Sequence, residues 1–236
     1  MTALNTAVSD ERRHTSAANE VFAFGFDVDS EIQGFMLLGF RNDAPQGVVV
    51  AALTRAGEPY LYVHDTCDRV GRDVVGLRGS GVWADATCNA PLDGWTIGLE
   101  AFALGVQDAS EAVADGVGDR VGLGFDLDFE RIEGTQVRDE PPAADTSEPG
   151  DGWYCYQASA HGELLIGDDR SGVETTSIDA VGMIEHRWGS AAWVAAFSNC
   201  ERISDRSPTD VVGSSAQQIL FRLWEPTPWY RLVRKN

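Results

Sequence analysis

The residues best suited to chemistry are His186 and Trp188, in the run Val181-Gly-Met-Ile-Glu-His-Arg-Trp-Gly189. The chain has four histidines, and this one stands between apolar and aromatic neighbours. In an extended segment, side chains alternate between two faces. Ile184, His186 and Trp188 then share one face, and Met183, Glu185 and Arg187 the other. An imidazole beside an indole on an inward face can donate or accept a proton inside an apolar cavity, with or without the acid Glu185. Trp153, Tyr154, Tyr156 and Gln157 offer rings and a few polar groups, the make-up of a small-molecule pocket. The same residues equally suit a structural role, as a histidine bonded to a carbonyl and rings that fill a barrel.

Elsewhere the signals are weaker. His14 sits in a polar leading stretch and is expected to be inert, while His64 and His161 read as turn residues. Histidines this few and scattered suggest no metal centre, and the cysteines (67, 88, 155 and 200) form no C-x-x-C pair. A Cys67–Cys88 bridge stays open, although four reduced thiols in a cytoplasmic protein is the simpler reading. No P-loop, G-x-S-x-G elbow, H-E-x-x-H or dinucleotide-binding turn occurs, so a cofactor-independent site is expected. Asp126, Asp128 and Glu130 line one face of a strand, as a metal site or an acid–base pair would require. Alternation with Phe125, Leu127 and Phe129 explains them as the solvated side of a half-buried strand.

Composition narrows the partners. The 236 residues carry a formal charge of −19, and Lys235 is the only lysine. Such a surface repels phosphate backbones and anionic headgroups, which excludes nucleic acid and membrane surfaces as expected partners. Residues 1–19 contain no apolar h-region, so no signal peptide is expected, and no window is apolar enough for a membrane helix. The oligomeric state is left open.

These residues must be positioned by strands. Short β-branched and aromatic runs at 21–26, 34–40, 47–53, 58–64, 95–102 and 121–132 are separated by turn residues, which predicts an all-β chain. The proline-rich, acidic stretch at 134–152 reads as a linker. It divides a loose tail (1–19) and a first β unit (20–133) from a second unit (153–236). In the second unit, further strands are expected at 153–157, 162–167, 175–179, 182–189 and 191–197.

Trp153-Tyr-Cys-Tyr-Gln157, Gly162-Glu-Leu-Leu-Ile-Gly167 and Gly182-x-x-Glu-His-x-Trp-Gly189 resemble the second-domain pattern of the hydroxyneurosporene synthase (carotenoid hydratase) and AttH-like group. Glu20–Phe26, Gly34–Phe40, the Arg55-x-Gly57 turn and Trp95–Glu100 are similar to its first domain. The resemblance implies two lipocalin-like antiparallel β-barrel or sandwich domains, the second shortened because 47 residues follow Gly189. It implies cofactor-free chemistry on hydrophobic polyenes or polyketides, by hydratases or Diels–Alderase-type cyclases. His186 and Trp188 would line the pocket, and Glu185 stands where the group has aspartate. The expected function is a cyclase or hydratase acting on an apolar biosynthetic intermediate, or else a carrier of such a molecule.

Overall fold

The computed structural model describes residues 11, 13–15, 17–29, 31–107, 119–137, 152–168 and 172–189. Every regular element among them is a strand, as the β-branched and aromatic runs predict. The strands are β1 (Asn19–Val28), β2 (Ile32–Arg41), β3 (Gln46–Arg55), β4 (Tyr60–Arg69), β5 (Val75–Arg78), β6 (Val82–Ala90), β7 (Gly94–Val106), β8 (Asp119–Arg131), β9 (Gly152–Asp168) and β10 (Gly172–Gly189). Each pairs antiparallel with its sequence neighbour, and β10 returns to pair with β1. An added contact between β4 and β7 bypasses the short β5–β6 hairpin. The result is a closed barrel.

Alternate residues of each long strand point inward, the even-numbered ones on β1, β2, β9 and β10 and the odd-numbered ones on β3, β7 and β8. Phe22, Phe24 and Phe26 meet Met36, Leu38 and Phe40, then Trp95, Ile97 and Leu99, then Phe125, Leu127 and Phe129 in one buried core. Each fully buried Leu or Phe contributes about 1.5–3 kcal/mol from apolar surface removed from water. Phe24 meets both Trp95 and Phe129 edge-on, at centroid separations of 5.5 and 5.8 Å. The interior is therefore filled by side chains over much of its length. On the outside, Asp126, Asp128 and Glu130 are exposed, as the alternation of β8 requires.

Two expectations are corrected. The stretch at 134–152 does not divide two barrels, because β9 and β10 complete the cylinder begun by β1–β8. It instead lies between β8 and β9, which are hydrogen-bonded neighbours. The break expected at His161–Gly162 is also missing. β9 runs straight through it, with Gly162 at φ +150° where a Cβ would strike the Asp126 carbonyl. The expected strand at 191–197 and the remainder of the proposed second domain, with Trp193, Cys200, Trp224 and Trp229, lie outside the described residues. No Cys67–Cys88 bridge forms. Among the described residues no helix is long and apolar enough to cross a membrane.

Candidate functional site

The closing pair of strands builds the site. In register, Phe22 stands opposite His186 and Glu20 opposite Trp188. Across the other edge of β10, Tyr154 faces His186 and Gly152 faces Trp188. A Cβ on Gly152 would run into the Trp188 indole, so glycine is what lets that ring lie across β9. Inward phase then gathers Glu20, Tyr154, Tyr156, His186 and Trp188 at one end of the barrel. His186 stacks on Phe22 (centroids 4.0 Å apart) and sits edge-on to Tyr154.

Residues just before β1 complete this end. Glu11 is buried, and its Oε1 accepts from the Tyr154 hydroxyl at 2.6 Å and from Tyr156 at 3.3 Å. Its Oε2 accepts from the Leu92 amide (2.5 Å), Trp95 Nε1 (3.2 Å) and Cys88 Sγ (3.4 Å). Arg13 donates from Nε to Glu20 Oε2 at 2.7 Å and from Nη2 to Asn42 at 2.8 Å, with its guanidinium over the Phe40 ring. The His14 imidazole stacks on Trp188 at 3.9 Å, and its amide donates to Glu20 Oε1 at 2.7 Å. The same carboxylate oxygen lies 2.9 Å from His186 Nε2 and 3.3 Å from His14 Nδ1.

The proton assignment follows from the contacts. Tyr154 has one hydroxyl proton, and its 2.6 Å contact with the Glu11 carboxylate takes it. His186 Nδ1, 3.2 Å from the same hydroxyl oxygen, must then be the donor. Nε2 carries a second proton toward Glu20 only when the ring is an imidazolium. Burial pushes the His186 pKa down, the hydrogen bond and charge of Glu20 push it up, and the balance lies below the ordinary value. Burial alone would raise the Glu20 carboxyl, but hydrogen bonds from His14, His186 and Arg13 outweigh it. They hold the group well below the usual carboxylate range. Burial and the Glu11 charge push the Tyr154 and Tyr156 hydroxyls well above theirs.

His186, Trp188, Tyr154 and Tyr156 therefore meet as the strand alternation predicts. Glu185, Trp153 and Gln157 do not join them, because odd positions of β9 and β10 face outward. Glu185 accepts from Trp153 Nε1 at 3.0 Å and pairs with Arg187 on that outer face, and Gln157 is exposed. Glu185 lies on the opposite strand face from His186, and the carboxylate within hydrogen-bond distance of the imidazole is Glu20. His14, expected to be inert, is part of the site, and its ring centroid is 5.1 Å from that of His186. Glu11, Arg13 and Glu20 were missed by sequence reasoning. One signal for Glu20 was available: it is in phase with Phe22, Phe24 and Phe26, so it places a charge on an apolar face. His64 and His161 lie exposed on β4 and β9, the latter 3.2 Å from Asp179.

The opposite end of the barrel differs. A cavity of about 340 Å³ opens there between Leu53, Leu61, Val121 and Ile166, rimmed by Arg55 and Glu174. Those two rim residues pair at 3.0 Å.

No protein-family model matches the chain, and no curated protein matches it in sequence. In structure it is similar to CghA crystallised with Sch210972, at 14% identity and a TM-score of 0.49 over 73% of this chain and 46% of that one. It is also similar to the AttH-type protein NE1406 of Nitrosomonas europaea, at 10% identity and a TM-score of 0.45 over 80% of this chain and 56% of the other. The chain spans about half the length of these structures. At such identities and scores the likeness says nothing of what this chain does, and the closed antiparallel barrel rests on its own strand pairing.

Proposed function

We propose that the protein binds a hydrophobic small molecule and moves a proton on it, as a cofactor-independent cyclase or hydratase of a polyketide or terpenoid intermediate. One observation supports this above the others: the line Glu11–Tyr154–His186 fixes the imidazole by its Nδ1 edge inside walls of Phe22, Trp95 and Trp188. Nδ1–H donates to Tyr154, which donates to Glu11, so Nε2 is oriented as a general base. Its lowered pKa keeps the ring neutral and able to accept a proton at neutral pH. Acid–base help of this kind gives about 10²–10⁴-fold in rate. Rings that hold a flexible substrate near its reacting shape supply more.

A second reading, carriage without turnover, is favoured by the cavity at the far end of the barrel, where Leu53, Leu61, Val121 and Ile166 lie among charged residues. Metabolite profiling of a deletion strain separates the two, alongside mass spectrometry of molecules extracted with the purified protein. On the enzyme reading, deletion causes an apolar precursor to accumulate, and wild-type protein restores the product. His186→Gln, folded by circular dichroism, does not. Full restoration by His186→Gln would remove proton transfer and leave a cyclase that works by shape, whereas a deletion that accumulates no precursor would leave carriage.

A further inference from the structure

We infer that His14 Nδ1, Glu20 Oε1 and His186 Nε2 form a binding site for a divalent transition-metal ion of the zinc class. This goes beyond the catalytic reading, although it uses the same imidazole nitrogen. The three donor atoms all lie within 4.8 Å of one another. Glu20 Oε1 is 2.9 Å from one imidazole nitrogen and 3.3 Å from the other. Metal bonds of about 2.0–2.2 Å at octahedral to tetrahedral angles place neighbouring donors about 2.8–3.6 Å apart. Both separations fall in that window, and the two imidazole nitrogens, within 4.8 Å of each other, draw together to share an ion by a small shift of His14, which precedes β1. Two imidazoles and a carboxylate suit zinc, cobalt, nickel or iron, and are too rich in nitrogen for calcium or magnesium.

The surroundings agree with this assignment. A metal-bound imidazole normally donates its other N–H to an oxygen that is itself held in place. His186 does so through Nδ1 to Tyr154, which Glu11 anchors. With that tautomer, the Nε2 lone pair of a neutral ring points at a carboxylate oxygen, an unfavourable contact that a cation between them turns into two bonds. Arg13 engages the other oxygen, Oε2; Oε1, which accepts from the His14 amide, keeps a second lone pair for the ion. The Arg13 charge opposes a cation, and buried Glu11, on the far side of Tyr154, offsets it. The Trp188 stack sets the plane of the His14 ring. The His14 side chain, 16% exposed, is the way in from solvent.

The three ligands come from the segment before β1, from β1 and from β10, so the ion clamps that segment onto the seam where the barrel closes. A bound ion occupies His186 Nε2, so ion binding and proton transfer at that atom exclude one another.

The test uses the full chain, stripped with a chelator and titrated with Co²⁺ and then Zn²⁺. One equivalent of Co²⁺ should bind at micromolar concentration with the visible d–d absorption of a four- or five-coordinate ion, and Zn²⁺ should displace it and raise Tm. His14 precedes β1, so His14→Gln removes one ligand without altering a paired strand, and circular dichroism checks that the variant is folded. It should abolish the absorption, and Tyr154→Phe should weaken binding about 10–100-fold. No stoichiometric Co²⁺ binding, or binding untouched by His14→Gln, overturns the site, the latter result marking adventitious coordination. Neither outcome bears on the deletion-strain assay, which reads turnover through His186→Gln.

Discussion

The two ends of the barrel share the same strands but handle charge in opposite ways. At the β1–β10 end, Glu11, Arg13, Glu20 and His186 are all nine-tenths buried or more, and each polar contact is matched by another. At the far end, Arg55 and Glu174 pair at the rim of a cavity of mixed lining, with the Glu174 side chain 55% exposed. A buried pair is expensive to break because the surviving charge has no water to replace its partner. A rim pair has water close at hand, so its loss is nearly neutral. One end is therefore built to hold a fixed geometry, and the other leaves an open cavity.

The largest contrast should come from the carboxylates. Glu20→Ala strands Arg13 and should cost about 3–5 kcal/mol in denaturant unfolding, whereas Glu174→Ala should cost about 0–1 kcal/mol. Equal losses would erase the distinction between the ends. Next, Gly152→Ala pushes the Trp188 ring off its strand. Overpacking of this kind costs about 1–3 kcal/mol and should also quench or shift tryptophan fluorescence.

Acidity gives a smaller, graded effect. His186 titrates lower in the fold than its ordinary 6.5, so the stability it contributes is present above that value and falls as pH drops below it. Glu20, held below its ordinary 4.5, adds a second loss of the same sign under more acid conditions. His186→Gln should remove the first step and keep the second, as read from Tm against pH. The smallest effect is expected at the mouth. Val121→Trp, which narrows the cavity, should leave Tm nearly unchanged while reducing uptake of an apolar fluorescent probe.

Period-two alternation was sufficient to place Ile184, His186 and Trp188 on one face, and Phe125, Leu127 and Phe129 on another. It also placed Glu185 opposite His186, yet adjacency in sequence suggested a partnership that strand geometry forbids. Which strands close the barrel is a long-range fact that no local pattern encodes. Glu20 reaches His186 only because β1 meets β10, so the true carboxylate partner could not be read from the residues around either. The segment bearing Glu11, Arg13 and His14 has no periodicity at all, and polar residues there look like a solvated tail until a hollow end is available to receive them. Proline and acid at 134–152 mark a connection correctly but carry no information about whether it joins domains or neighbouring strands.

Pairing of Asn19–Asp27 with Val181–Gly189 also has a kinetic consequence. During synthesis the sheet grows hairpin by hairpin, but one side of β1 stays without its hydrogen-bond partner until nearly all of the described chain has emerged. Loop closure on that scale is slow, and an unpaired apolar edge is a template for self-association. The step that limits refolding should thus be the zipping of this last seam, and chains interrupted within β10 should be the ones that aggregate.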